Sequence, residues 1–89
     1  STLKEVQVLV DKDKNVYIKY TNNSGKTETE ELELSTFVDF VSEKLDTSES
    51  KDVVVSADKD IDYGFIVEIM SLLKEAGASG INIDTNSTK

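Results

Sequence analysis

The chain contains no cysteine, histidine, arginine, proline or tryptophan. Without cysteine there is no disulfide framework and no thiolate chemistry, and the redox compartment leaves no mark on the composition. Without histidine, the commonest metal ligand and the commonest general base are both missing. Without arginine, the planar fork that reads guanine is missing, and a net charge of −8 repels phosphate. Nucleic acid is therefore a poor partner, and an anionic membrane surface is disfavoured on the same ground. A basic protein or a neutral polymer remains compatible. Long apolar runs are also lacking: no stretch approaches the roughly 18 consecutive apolar residues that a membrane-crossing helix requires. No signal-peptide pattern is present and the first residue is Ser1. The expectation is an excised domain whose targeting or anchoring segment lies outside it.

The chain does hold enough apolar material for a small core. Of its 89 residues 37% are hydrophobic and 31% charged, too apolar for disorder and near the size where one core is barely sufficient. No repeat of solenoid period and no low-complexity segment is visible, so residues 1–89 are expected to form one domain.

Its most ordered pattern covers residues 52–85. Val53, Val54 and Val55 form a β-branched run that suits a strand buried on both faces, ended by Ala57 and Asp58. Asp60 or Asp62 is placed to cap a helix, because a carboxylate accepts from the free amides of the first turn. Ile66, Ile69, Met70 and Leu73 then fall at i, i+3, i+4 and i+7, a stripe widened by Phe65, Leu72 and Ala76. Gly77 is expected to stop this helix in the left-handed conformation. Ile81 and Ile83 alternate with Asn82 and Asp84 in a last strand. The unit should close by a right-handed crossover with its two strands parallel.

The earlier half reads as a hairpin and a helix. Residues 1–4 are expected to fray, as are 86–89. Val6, Val8 and Val10 alternate with Gln7 and Leu9, and Val16, Ile18 and Tyr20 alternate with Tyr17 and Lys19, across the polar turn 11–15. A second turn at 21–26 uses Gly25, and residues 27–31 extend the hairpin as an acidic edge strand. Ser35 or Thr36 is expected to cap a helix running to about Leu45. Phe37, Val38, Val41 and Leu45 share its apolar face, with Phe40 at the border and Leu34 as a staple. Residues 46–51 form a polar linker. The summed order is β-β-(β)-α-β-α-β, an α+β domain whose mixed sheet carries both helices on one face.

Candidate sites are few. Asp58, Asp60 and Asp62 imitate the opening of a calcium loop, but Tyr63 holds the glycine position and Ile69 that of the bidentate glutamate. Asp11, Asp13 and Asn15 fail likewise, at Val16 and Asn22. Strand-end, cap and turn roles explain both sets, so no metal ligand and no cofactor is expected. No nucleophile has an adjacent base, and the Gly77-Ala78-Ser79-Gly80 segment follows a helix and lacks a phosphate-binding lysine. The chain is not expected to be an enzyme. Tyr17, Tyr20 and Tyr63 could line a sugar- or peptide-binding surface, although tyrosines in such places are more often core residues with the hydroxyl at the rim. Glu28, Glu30, Glu31 and Glu33 read as a solvated face.

A family resemblance rests on a spaced pattern. It comprises Val53-Val54-Val55-Ser56-Ala57-Asp58, Ile61, Tyr63-Gly64, Ile66-Val67, Ile69-Met70, Leu73-Lys74, Ala76-Gly77, Ile81 and Ile83. This pattern resembles the C-terminal half of the ExbD/TolR family, and residues 5–45 are consistent with the remainder. The positions carrying the motif are Ala57, Asp58, Tyr63, Gly64, Met70, Leu73 and Gly77. The resemblance implies a periplasmic domain whose membrane contact is an N-terminal helix upstream of this chain, the helix that carries the proton-handling aspartate. It implies a subunit of a proton-driven inner-membrane motor, with an ExbB- or TolQ-like channel subunit and a TonB- or TolA-like transducer as partners. Homodimerisation is implied, and is expected to be weak in the isolated domain. TolR-like members would engage peptidoglycan instead. Within the family Asp58 closes the strand before the second helix, a structural role. Ser56-Ala57-Asp58 leans toward the ExbD branch. The segment Ile81, Asn82, Ile83 and Asp84 is a candidate edge strand for dimerisation or partner capture. Two further readings are a small ligand-binding regulatory domain and a divalent-ion or hydrolytic domain using the aspartate cluster.

Overall fold

The computed structural model describes residues 2–86. Its elements run β1 Leu3–Val10, β2 Val16–Asn22, β3 Thr27–Leu32, α1 Leu34–Asp46, β4 Asp52–Asp58, α2 Tyr63–Glu75 and β5 Gly80–Asn86. The strands form one mixed sheet in the order β3-β2-β1-β4-β5. The period-two segments pair antiparallel, β1 with β2 (Val8 opposite Ile18) and β2 with β3 (Ile18 opposite Glu30). Each helix then returns the chain to a parallel neighbour: β4 beside β1, with Val8 opposite Val55, and β5 beside β4, with Val55 opposite Ile83.

One face of this sheet is covered. Val6, Val8, Val10, Val16, Ile18, Val53, Val55 and Ala57 point to it and are buried together with Phe37, Val41 and Leu45 of α1 and Phe65, Ile66, Ile69 and Leu73 of α2. The two helix stripes bury against the same apolar layer, which is the reason both helices lie on that side. The valine run does not behave as its composition suggests. Val53 and Val55 are buried, whereas Val54 points to the opposite face and is only half-covered. Gln7 and Ser56 occupy that bare face too, joined by a 2.7 Å hydrogen bond from Gln7 Nε2 to Ser56 Oγ. A β-branched run reports strand propensity; helices on a single side decide how many of its faces are buried.

The start of the chain is more ordered than expected. Leu3 is buried at the start of β1. Its amide donates to the Thr47 carbonyl at 2.8 Å, and its own carbonyl accepts from the Glu49 amide at 2.9 Å. The apolar side chain and these two bonds extend the strand into the segment expected to fray. At the other end the described strand reaches Asn86, and the rest of the expected fray lies outside the described residues.

The helix ends separate expectation from outcome. Helix α1 begins at Leu34, with Glu33 at the N-cap and no side-chain cap. Ser35 and Thr36 are inside the first turn, where Thr36 Oγ1 donates back to the Glu33 carbonyl at 3.3 Å. The hydroxyls therefore do not cap, and Leu34 is a first-turn residue rather than a staple preceding the helix. At α2 the cap is Asp62, whose Oδ2 accepts from the Phe65 amide at 3.2 Å. Asp60 stands in the preceding turn. Gly77 has φ of +107°, with the Gly77 amide on the Lys74 carbonyl at 3.1 Å and the Ala78 amide on the Leu73 carbonyl at 3.0 Å. That pair of bonds is a Schellman closure, which a residue with a Cβ would strain.

Helix α1 is tied to β2 by an aromatic cluster. Lys44 Nζ lies 4.4 Å from the Tyr20 ring centroid and 5.0 Å from that of Phe40. The two rings are 6.4 Å apart and tilted by 55°. Contacts of this type each contribute about 0.5–1 kcal/mol at exposed sites.

Candidate functional site: an open edge beside an apolar groove

The sheet has two edges of opposite character. β3 presents Glu28, Glu30 and Glu31, all exposed, with Glu33 just beyond. A row of like charges repels an incoming strand, which protects that edge. β5 presents Ile81, Asn82, Ile83 and Asp84. Its register with β4 puts Ile81 and Ile83 on the helix side and Asn82 and Asp84 on the bare side. Ile83 is 42% exposed although it stands on the core face.

The reason lies in where α2 begins. The turn between β4 and α2, the first half of α2 and β5 enclose a groove of about 460 Å³. Ile61, Tyr63, Ile66, Met70 and Ile83 supply its apolar lining, with Asp58 and Lys59 at the rim. Tyr63 is 77% exposed, so it is neither a core residue nor a rim hydroxyl over one. Val67, one turn further along α2, is 47% exposed and continues the apolar stripe outward. An apolar groove running beside a strand edge that is unpaired among the described residues has the geometry for taking up an extended peptide. Main-chain bonds would form to β5 and alternate side chains would enter the groove.

The family-motif positions divide between this groove and the core. Ala57, Asp58, Tyr63 and Met70 meet at the groove, beside Ile83 of the candidate edge strand. Leu73 is fully buried beneath α2, and Gly77 lies at that helix's far end. Gly64 occupies the first turn of α2, where a Cβ would come within 3.3 Å of Asp62 Oδ2. Lys59, Ile61 and Ile66 line the groove without having been read as site residues. For Ile61 the signal was present: it is an isolated apolar residue between charged neighbours in a turn.

The aspartates are each engaged locally. Asp58 Oδ1 accepts from the Asp60 amide at 2.9 Å, Asp60 pairs with Lys59 at 3.3 Å, and Asp62 caps α2. Among the described residues no three acidic, histidine or cysteine side chains converge on a common point that could hold a metal ion. Asp11 closes the first hairpin turn, accepting from the amides of Asp13 and Asn15 at 3.0 and 2.9 Å and from Asn15 Nδ2 at 3.0 Å. The Asn15 side-chain bond, with the backbone bonds behind it, holds the Asp11 carboxyl below its ordinary range.

A second, shallower depression of about 290 Å³ lies where β1 and β4 end. Leu9, Asp11, Tyr17, Ser56 and Asp58 are among its lining residues. Burial raises the Tyr17 phenol above its usual pKa, with Glu31 and Asp11 adding to the shift. Tyr20, by contrast, faces the helices. Its hydroxyl donates to Glu30 Oε2 at 2.6 Å, and that bond, aided by burial, pushes its pKa up to about 12.

Comparison with known proteins places the chain in a family. The family model described as biopolymer transport protein ExbD/TolR matches residues 2–88, nearly the whole chain. No curated protein matches it.

Proposed function

The chain belongs to the ExbD/TolR family, and from that premise we propose that it is the periplasmic domain of a motor subunit that hands conformational work to a partner through β5 and its groove. Membership itself carries a general role in energy transduction for biopolymer transport, in complexes with ExbB/TolQ and TonB/TolA proteins. Members are anchored in the inner membrane. No helix among the described residues is long and apolar enough to cross a membrane.

The observation that carries the reading is the asymmetry of the two sheet edges. β3 is shielded by glutamates; β5 has no second strand beside it among the described residues and borders an apolar groove. Edge-strand addition would leave the core undisturbed, so a transducer segment or a second copy of the domain could be gained and released without unfolding. The charge distribution supports a basic partner. Asp58 lines the groove and Asp60 and Asp62 lie in the segment leading into α2, with Lys59 as the lysine at the groove rim.

The test is NMR mapping of the labelled domain against the periplasmic part of a TonB- or TolA-like protein from the same operon. Amides of residues 61–70 and 80–86 should shift, and Ile83→Lys should abolish the shifts without lowering the melting temperature. Shifts confined to β3 or to the bare sheet face, or none at all, would sink the docking site.

A second reading is favoured by the depression where β1 and β4 end. Tyr17 there offers a ring for stacking, and Ser56, Asp11 and Asp58 offer polar groups to sugar hydroxyls. This would suit a TolR-type module that engages peptidoglycan. Co-sedimentation with purified sacculi that Tyr17→Ala abolishes and Ile83→Lys spares would support it over the first.

A further inference from the structure

β1, β4 and β5 all run in the same direction. The described chain enters the sheet at the foot of β1 and finishes at the head of β5, so its two ends lie at opposite poles along the strand axis. β1 is also the middle strand. It is held by β2 on one side, in a register running from Leu3 with Asn22 to Val10 with Val16, and by β4 on the other. We propose that this arrangement makes the domain a tension-bearing link, loaded in shear when its ends are drawn apart along the strands.

The physical difference is one of simultaneity. When a ladder is pulled parallel to its strands, every inter-strand bond is strained together and all must fail at once. When it is pulled across its strands, the bonds open one at a time from the end. Each bond contributes modestly on its own, so loading them together is what gives resistance. The path from β1 to β5 crosses two ladders. The β4–β5 ladder is the longer, from Asp52 with Gly80 to Asp58 with Asn86. The β1–β4 ladder runs only from Gln7 with Val54 to Val10 with Ala57.

This shorter ladder carries two reinforcements. The Gln7 side chain reaches across it to Ser56 at 2.7 Å, a bond on the bare face that no helix shields. At the foot of the sheet Leu3 exchanges backbone bonds with Thr47 and Glu49, which fixes β1 to the segment leading into β4. One link lies within the β1–β4 ladder and the other ties the start of β1 to the segment before β4, so the shortest ladder on the path is the reinforced one. The inference does not depend on what occupies the groove. A domain that failed to bind any transducer could still show it, and one that bound a transducer could still lack it.

Single-molecule pulling tests it directly, because the native chain has no cysteine to interfere with handle attachment. Handles on Thr2→Cys and Asp84→Cys load the domain along the strands. Handles on Thr2→Cys and Glu49→Cys, both at the foot of the sheet, peel β1 from its neighbour. Matched thermal melts establish that both pairs are folded, and Asn82→Cys replaces Asp84→Cys should the first pair fail to fold. The rupture force along the strands should exceed the peeling force several-fold, and Gln7→Leu should reduce the along-strand force. Equal forces in the two geometries would overturn the proposal. So would an along-strand force below the peeling force.

Discussion

Replacing Gly77 separates the backbone requirement of one residue from every packing effect. No atom lies within 4 Å of where a Cβ at position 77 would be, so an added methyl meets nothing. What remains is the dihedral, φ of +107°. A residue with a Cβ resists the left-handed region by about 1–2 kcal/mol. An alanine also restricts the unfolded chain, which offsets about 0.4–1 kcal/mol of that cost. Gly77→Ala should therefore destabilise the domain by about 1 kcal/mol, and Gly77→Val by more, since a β-branched side chain is worse still at positive φ. In a domain this small, about 1 kcal/mol lowers the melting temperature by roughly 4–8 °C. Gly64→Ala is the control at the other end of the same helix. Position 64 lies within α2, where alanine is favoured over glycine by about 1 kcal/mol, less whatever the 3.3 Å approach to Asp62 Oδ2 costs. Calorimetry should find Gly64→Ala neutral or stabilising while Gly77→Ala melts early. If Gly77→Val melts with the wild type, the helix does not end by a left-handed closure and the reasoning is wrong.

Three other outcomes are expected. The Tyr20 phenol stays protonated up to about 12 in the folded state because it donates to Glu30. A raised folded pKa favours the neutral form, so the stability it lends is whole below the ordinary tyrosine pKa of about 10 and is lost as pH climbs through the folded value. Ultraviolet titration should show one tyrosine ionising well after the ordinary range, and Tyr20→Phe should remove that step. Calcium titration followed by NMR should leave the amides of residues 58–62 unmoved, because each carboxylate is already engaged; submillimolar saturable shifts would contradict this. Sedimentation of the isolated domain should show weak, concentration-dependent self-association, and a dimer persisting at nanomolar concentration would be incompatible with that.

The segment from β4 to β5 was legible because three local signals agree there. The helical stripe of Ile66, Ile69 and Leu73, an aspartate cap and a glycine stop each mark α2 independently, and the parallel return follows from connecting two strands through a helix. The start of α1 was misjudged by two or three residues because Ser35 and Thr36 have cap chemistry, while a glutamate that contributes only its backbone took the position. The single-sided burial of β4 was hidden because Val53, Val54 and Val55 are alike in composition and differ only in what lies above each face. The edge strand was visible as alternating residues, but the groove beside it was not. That groove depends on the register setting Val55 opposite Ile83 and on Lys59, Ile61 and Tyr63 meeting Ile83 across it, and both are tertiary facts. For the same reason the exposure of Tyr63 could not be read from its neighbours.

The placement of β1 in the middle of the sheet bears on the order in which the molecule assembles. Its antiparallel side is closed by a turn of a few residues, so β1, β2 and β3 can find one another early and cheaply in chain entropy. Its parallel side waits on a far larger loop: Gln7 and Ser56 are 49 positions apart. Contacts of that separation form slowly. A nascent meander should thus appear first, with its apolar side uncovered, and the two helical returns should complete it afterwards, β5 last. The strand proposed for partner docking is then the one whose arrival signals that the rest is built.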